Sequence, residues 1–399
     1  MIRLRDTRYA STSAFLENAE RISSYYGFVP LEEVARTPDP KRSVPTMEEI
    51  ESAVSFARRE ERALSSVARK MPFLARHEHR ALFFWRTVPG GGTIPSVSFE
   101  LHVVGHASAL AEALLIAVAN AIAEEAGISG RTLSLNNIGG LESSGRFMRD
   151  VSGFLRKHLD SITPSLRPRA GHDPVGALVQ LIERGHPALA RMPQATEYLS
   201  EEERRRFWEL LEYMETSGIA YELSGHVLGS RDVWSHALYE VSARDAETGA
   251  RIPFASGGRY DPLASRFAKQ PEQAAMITLS CEMRGSTQLK ASERAEPGIF
   301  FAHIGIESRR RALPAIEQLR RAGIPIHHSL TYERLGDQMI AANALRVPVI
   351  LILGHKEAME NTILVRTVAS NSQEAVPLAD LPGYLRRRRL APAASAANA

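Results

Sequence analysis

The densest chemistry in the chain sits in Gly257-Gly258-Arg259-Tyr260-Asp261. Two adjacent glycines permit positive φ and close approach of the backbone to a ligand. The next three residues supply a cation, a phenol and a carboxylate. Such a group can hold a zwitterionic small molecule or a phosphate. It also suits a tight hairpin closed by an Arg–Asp pair.

Arginines in strand-like surroundings form the second set of candidates. Arg86 lies in the run Ala81 to Thr87, and Val97 to Val104 reads as its return strand. A planar guanidinium fork bonds two phosphate oxygens at once. The loop between them, Pro89 to Pro95, is glycine-rich and uncharged. It can cradle phosphate through its N–H groups or simply turn a hairpin. Arg231, Asp232 and Trp234 fall in the segment His226 to Glu240, and Glu282 and Arg284 follow the strand-like run from Ala275. His172, His186 and His226 lack partners at ligand spacing, so no zinc site is expected. The single cysteine, Cys281, reads as a packed small residue, because no base is arranged beside it.

The elements that must position these groups follow from periodicity. Ser11 to Tyr26 carries Phe15, Ala19, Ile22 and Tyr26 on one helical face. Glu48 to Met71 reads as one charged helix with Thr46 as N-cap and Glu49 closing a capping box. Its run Arg58, Arg59, Glu60, Glu61 and Arg62 reads as a solvated face. Ser108 to Ala126 is apolar nearly all round and therefore buried. Leu133 to Gly140 reads as a strand ending in Asn-x-Gly before a helix Arg146 to His158, and Asp160 to Arg191 as helices and loops. From Ile299 onward strands alternate with helices, with strands at 324–329, 347–353 and 362–368. That order predicts a mainly parallel sheet with helices on both faces.

Bulk composition sets the limits. The chain has 399 residues, 44% hydrophobic and 24% charged, with a net charge of +3. That is an ordinary globular balance with room for two or three domains. Any nucleic-acid surface must be local. One cysteine excludes an internal disulfide framework. No apolar run reaches membrane-spanning length, and the N-terminus shows no signal-peptide pattern, so a cytoplasmic protein is expected.

The order of these segments resembles the histidyl-tRNA synthetase family of class II aminoacyl-tRNA synthetases, over roughly Tyr25 to Leu385. The helix leading into Gly27-Phe28 resembles motif 1, with Thr37-Pro38 in the following loop. The Arg86 strand pair resembles motif 2, and Ala275 to Arg284 resembles motif 3. The resemblance implies an α+β core, a class II synthetase-like antiparallel sheet with flanking helices, over 1–290, carrying a helical insertion at about 160–191. It implies an α/β anticodon-binding-type domain over 298–390, before a disordered tail at 391–399. It further implies a homodimer, a tRNA partner and, in active members, ATP and Mg²⁺. Arg86, Arg231 and Arg259 would be the catalytic cations. Asp232, Trp234, Gly257, Gly258, Tyr260, Asp261, Glu282 and Arg284 would line an amino-acid-like ligand. Arg334, Gln338 and Lys356, in segments similar to the anticodon domain, would contact RNA.

The chain departs from the family at the chemistry. Val88 stands where motif 2 carries Glu, Gly229 where a catalytic Arg is expected, and Met283 at the motif 3 Arg. Val233 and Trp234 replace two tyrosines that enclose the histidine ring, and Ser280 stands near a missing glycine. Arg231 would keep the face of the absent Arg on a strand but sit about 6–7 Å along it. The expected function is a synthetase-like paralogue with a degenerate adenylation site, binding tRNA, a small ligand or a partner. The alternatives are an active, divergent histidine–tRNA ligase, an enzyme adenylating another amino acid, and a protein like the regulatory subunit of ATP phosphoribosyltransferase.

Overall fold

The computed structural model describes residues 1–35, 44–74, 81–90, 94–162, 164–245, 248–289, 297–388 and 390, without the side chains of Arg59 and Glu60. Thr37-Pro38, Gly91-Gly92-Thr93, the expected domain end at 290, Arg389 and the tail 391–399 lie outside the described residues. The chain divides into two compact units. The first takes Met1–Ala19, Val29–Leu211 and Ile219–Gln288; the second takes 20–28, 212–218 and the described residues from 289 on.

The first unit is built on eight strands: β1 (Val29–Pro30), β2 (Leu82–Pro89), β3 (Ser96–Val104), β4 (Thr132–Asn137), β5 (Tyr221–Leu223), β6 (Ser235–Arg244), β7 (Arg251–Arg259) and β8 (Ala274–Glu282). They lie in the order β1-β2-β3-β8-β7-β6-β4-β5. The pairs β1/β2 and β4/β5 are parallel and the other five are antiparallel. The apolar helix Leu110–Glu125 packs on β3, β7 and β8 and is buried over most of its surface.

Register decides what each face presents. One row of facing residues crosses seven strands: Arg86, Glu100, Thr278, Ser256, Glu240, Ser134 and Glu222. Side chains alternate across a strand, so all seven share a face. At about 4.8 Å between strands the row runs roughly 29 Å. The neighbouring row on the same face is Phe84, His102, Met276, Gly258, Leu238 and Asn136. This second row is covered. Phe84, Met276 and Leu238 join Trp234, Ile138 and Tyr260 in a buried apolar cluster. One face of one sheet is thus polar along one row, where Ser256, Glu240 and Glu222 are half-buried and the rest buried, and apolar along the next.

Several local expectations change. The charged stretch after Thr46 forms two helices, Met47–Ala53 and Arg59–Ala68. The Thr46–Glu49 capping box starts the first. Glu61 starts the second by accepting from the amides of Ala57 at 2.6 Å and Arg58 at 3.1 Å. Glu61 is therefore buried and not part of a solvated face. Gly257-Gly258-Arg259 is the end of strand β7, not a turn, and Asp261 opens the helix Asp261–Ala268.

The second unit holds β9 (Ile299–His303), β10 (His327–His328), β11 (Val349–Leu353), β12 (Thr362–Thr367) and β13 (Ser372–Pro377), in the order β10-β9-β11-β12-β13. The sheet is mixed rather than mainly parallel: β10 and β11 run parallel to β9, but β12 and β13 are antiparallel additions. The reason is connection length. Parallel pairing needs a crossover of a dozen or more residues. Only the six-residue helix His355–Glu360 and a turn separate β11 from β12. Of the expected strand at 324–329 only His327–His328 pairs.

Candidate functional site

The polar row from Glu100 to Glu222, without Arg86, is the floor of a cleft of about 810 Å³ within the first unit. Ser96, Ser98, Ser242 and Ser280 extend the floor on either side of the row. The walls add Arg58, Glu183, His226 and Arg251. The volume suits a small molecule. Charge on the row is paired internally. Arg251 meets Glu222 at 2.6 Å, and Ser134 donates to the same oxygen at 2.9 Å. Arg58 stands 3.7 Å from Glu240. Hydroxyls and paired carboxylates dominate the floor, so the cleft offers hydrogen bonds, with the Met1 ammonium, Arg58 and Arg251 among its cations. The sequence reading named only Arg86 from this row. The polar alternation Ser96, Ser98, Glu100 along β3 was the available signal.

Arg86 is on the row but is committed. Its Nε donates to Glu100 Oε2 at 2.6 Å, and its remaining nitrogens donate to the Ser66 hydroxyl and the Ala63 carbonyl. Burial pushes the Glu100 carboxyl up, but Arg86 and the hydrogen bond from His102 outweigh it, and the net shift is downward. Glu100 is an anion that can only accept. His102 Nε2 therefore donates to it at 3.2 Å, and His102 Nδ1 accepts from the Tyr260 hydroxyl at 3.1 Å. Burial holds His102 below the ordinary histidine range, so it stays neutral. The four residues form one buried chain, Arg86–Glu100–His102–Tyr260, with no uncompensated positive charge.

The segment before β6 is fixed by Glu61. Its carboxylate accepts from Ser230 N at 2.8 Å and from the Trp234 indole at 2.9 Å. A Cβ on Gly229 would lie 2.3 Å from the indole and 2.7 Å from Glu61 Oε1. No side chain fits there without moving the clamp. Trp234 is buried, and its ring would meet a Cβ on Gly258 at 3.2 Å. Val233 is buried too. Arg231 lies in a turn, not on a strand, and lines a separate groove with Arg146 and Arg149. Asp232 accepts from Ser55 N at 3.0 Å and faces Arg266 at 3.8 Å.

Gly257 and Gly258 do not use positive φ. They provide clearance: a Cβ on Gly257 would lie 2.0 Å from the Met276 carbonyl and 2.7 Å from the Tyr239 ring. Arg259 points to the face opposite the cleft and is fully buried. It bonds Glu112 at 2.7 and 3.1 Å, the carbonyls of His106 and Ser108, and Asp261 at 3.4 Å. Arg206 adds a second cation on Glu112 at 3.0 Å. Burial alone would raise the Glu112 carboxyl, but the two arginines bring it down to about 2. Asp261 accepts from Ala274 N at 2.8 Å, and burial pushes its carboxyl up despite Arg259.

Glu282 accepts from Leu4 N at 2.8 Å at the end of β8. No helix follows it among the described residues 283–289, and Met283 and Arg284 are exposed beyond the strand. Buried Cys281 has its thiol pushed up to about 12 by burial. In the second unit Gln338 is buried, not presented to solvent. Its amide accepts from His303 N at 3.0 Å and donates to His303 O at 2.8 Å, tying the helix Leu335–Ala344 to β9. Arg334 is exposed at the start of that helix, and Lys356 is 76% exposed beside Glu360.

The family profile described as "Anticodon binding domain" matches residues 302–388. The histidine–tRNA ligase of Thermosynechococcus vestitus is 26% identical over 285 residues, covering 70% of this chain and 66% of that protein. The histidine–tRNA ligase of Bacillus licheniformis is 24% identical over 292 residues, covering 72% and 69%. The chain thus spans about two thirds of the length of the curated relatives it matches. Among solved structures, apo Staphylococcus aureus histidyl-tRNA synthetase superposes with a TM-score of 0.51 at 16% identity, covering 93% of this chain and 94% of that one. The largely antiparallel eight-stranded sheet and the second α/β unit define a class II synthetase-like fold. Within that class the chain is similar to histidine–tRNA ligases, at 24–26% identity over about 70% of its length.

Proposed function

We propose that this protein is a ligand-binding relative of histidyl-tRNA synthetases that does not adenylate. The observation that carries this reading is that Arg86 does not line the cleft and is paired with Glu100, which does. Adenylation needs uncompensated positive charge where the pentavalent phosphate develops, and losing one such group costs several kcal/mol. Arg86 is neutralised from within. Position 229 has no room for a side chain. Arg231 and Arg284 line no part of the cleft. The residues present therefore do not fit ATP and Mg²⁺.

What the cleft does fit is a compact, hydrogen-bonding molecule bearing an ammonium group. Glu100 takes its contacts through Oε2, which leaves Oε1 for a ligand above the row. Ser98, Ser256 and Thr278 supply hydroxyls beside it. An amino acid or a related amine has this chemistry. The protein would use such a ligand as a signal or bind it for a partner, as a regulatory subunit does. The profile match over 302–388 supports retained tRNA binding through Arg334 and Lys356, and a homodimer is part of the same proposal. No helix among the described residues is long and apolar enough to cross a membrane, which is compatible with the cytoplasmic setting we propose.

The second reading is an active histidine–tRNA ligase. It is favoured by the curated relatives and by the retained Gly257-to-Asp261 sequence. Calorimetry separates the two. Titration with amino acids should give saturable binding that Glu100→Gln weakens about tenfold or more, the scale of a lost charge-assisted hydrogen bond. Titration with Mg-ATP should give none. Tight, saturable Mg-ATP binding would contradict the reading.

A further inference from the structure

A second groove, of about 460 Å³, runs along the exposed face of the helix Leu141–Lys157. It shares no lining residue with the cleft. Three guanidiniums converge on it: Arg146 and Arg149 from the helix and Arg231 from the turn before β6. Gly145 lies beneath Arg231, where a Cβ would stand 3.6 Å from its Nη1, an ordinary contact. Arg146 spends one nitrogen on the Tyr198 carbonyl at 2.8 Å. Glu142 is the one carboxylate on the lining, and Asp150 nearby is bonded to the Tyr198 hydroxyl at 2.6 Å. Leu141, 75% exposed, and Met148 give the groove an apolar wall.

Three like charges in one groove repel one another, and a bound polyanion removes that repulsion. Guanidinium forks match phosphate oxygens in pairs. We propose that this groove binds a small phosphorylated molecule with at least two anionic groups, its phosphates on Arg146, Arg149 and Arg231 and an apolar moiety against Leu141 and Met148. The volume suits a metabolite-sized ligand.

The test uses the full chain with inorganic pyrophosphate as probe, in calorimetric titrations at low and at physiological salt. Saturable binding is expected, weakened about tenfold or more by Arg149→Gln and by Arg231→Gln. Glu142→Gln removes the opposing charge and should tighten binding, a direction that a merely destabilised protein would not produce. Absence of saturable binding, or equal affinities across the variants, overturns the proposal. So does an RNA oligonucleotide that depends on Arg149 and Arg231 while pyrophosphate does not bind. None of these outcomes depends on what occupies the cleft.

Discussion

Arg86 and Arg259 carry the charges that phosphate chemistry would use, and each meets a buried carboxylate of the same unit. For Arg259 the partner is Glu112, already shared with Arg206. Removing one member of such a buried pair leaves an uncompensated charge and costs about 3–5 kcal/mol. Glu112→Gln should therefore lower the unfolding free energy by that order in urea titrations. A double variant with both partners made apolar should recover much of the loss. Gly229 gives a second test at the same scale. Restoring the family's arginine there, as Gly229→Arg, should not create adenylation activity. The side chain must displace the Trp234 indole from Glu61, and overpacking of this kind costs about 1–3 kcal/mol. A stable Gly229→Arg protein that gains amino-acid-dependent pyrophosphate exchange would refute this account of the position.

At the scale of elements, His303 ends β9 under the helix Leu335–Ala344. It is buried, and burial followed by the Arg309 charge brings its imidazole down to about 4. The folded state then binds fewer protons than the unfolded chain between that value and the ordinary 6.5. Its stabilising contribution is complete above about pH 6.5 and is lost as pH falls towards 4. The loss is on the order of 3 kcal/mol. His303→Gln should flatten the acid limb of the pH–stability curve by about one proton, read by denaturant titration across that range. An unchanged slope would show that the imidazole titrates normally.

Elements with strong periodicity were legible in the sequence. The buried helix at 110–125, the Thr46 capping box and the strand pair around Arg86 all stand where the pattern places them. What was not legible depends on long-range pairing. Glu61 reads as one member of a charged run, yet it caps its own helix and clamps a segment about 170 residues away. Gly257-Gly258 reads as a turn, because only the neighbours Met276, Tyr239 and Trp234 reveal that clearance is the constraint. Gln338 reads as an exposed donor until β9 supplies the backbone groups that occupy its amide. The row Arg86-Glu100-Thr278-Ser256-Glu240-Ser134-Glu222 draws on six strands beyond that of Arg86, so no local window contains it.

For the molecule as a whole, the first unit has a small-molecule cleft whose floor is hydroxyl and carboxylate, beside an apolar row already filled by Trp234, Leu238 and Met276. The second unit carries the anticodon-binding profile with its central glutamine turned inward. Ligand recognition without phosphate activation is the behaviour these features support. The most direct measurement is ATP–pyrophosphate exchange by the purified protein with Mg²⁺ and each amino acid in turn, its folding checked by circular dichroism. The account predicts no exchange above the protein-free blank with any of them. Exchange that depends on histidine would contradict it and establish a working adenylation site despite the Arg86–Glu100 pair.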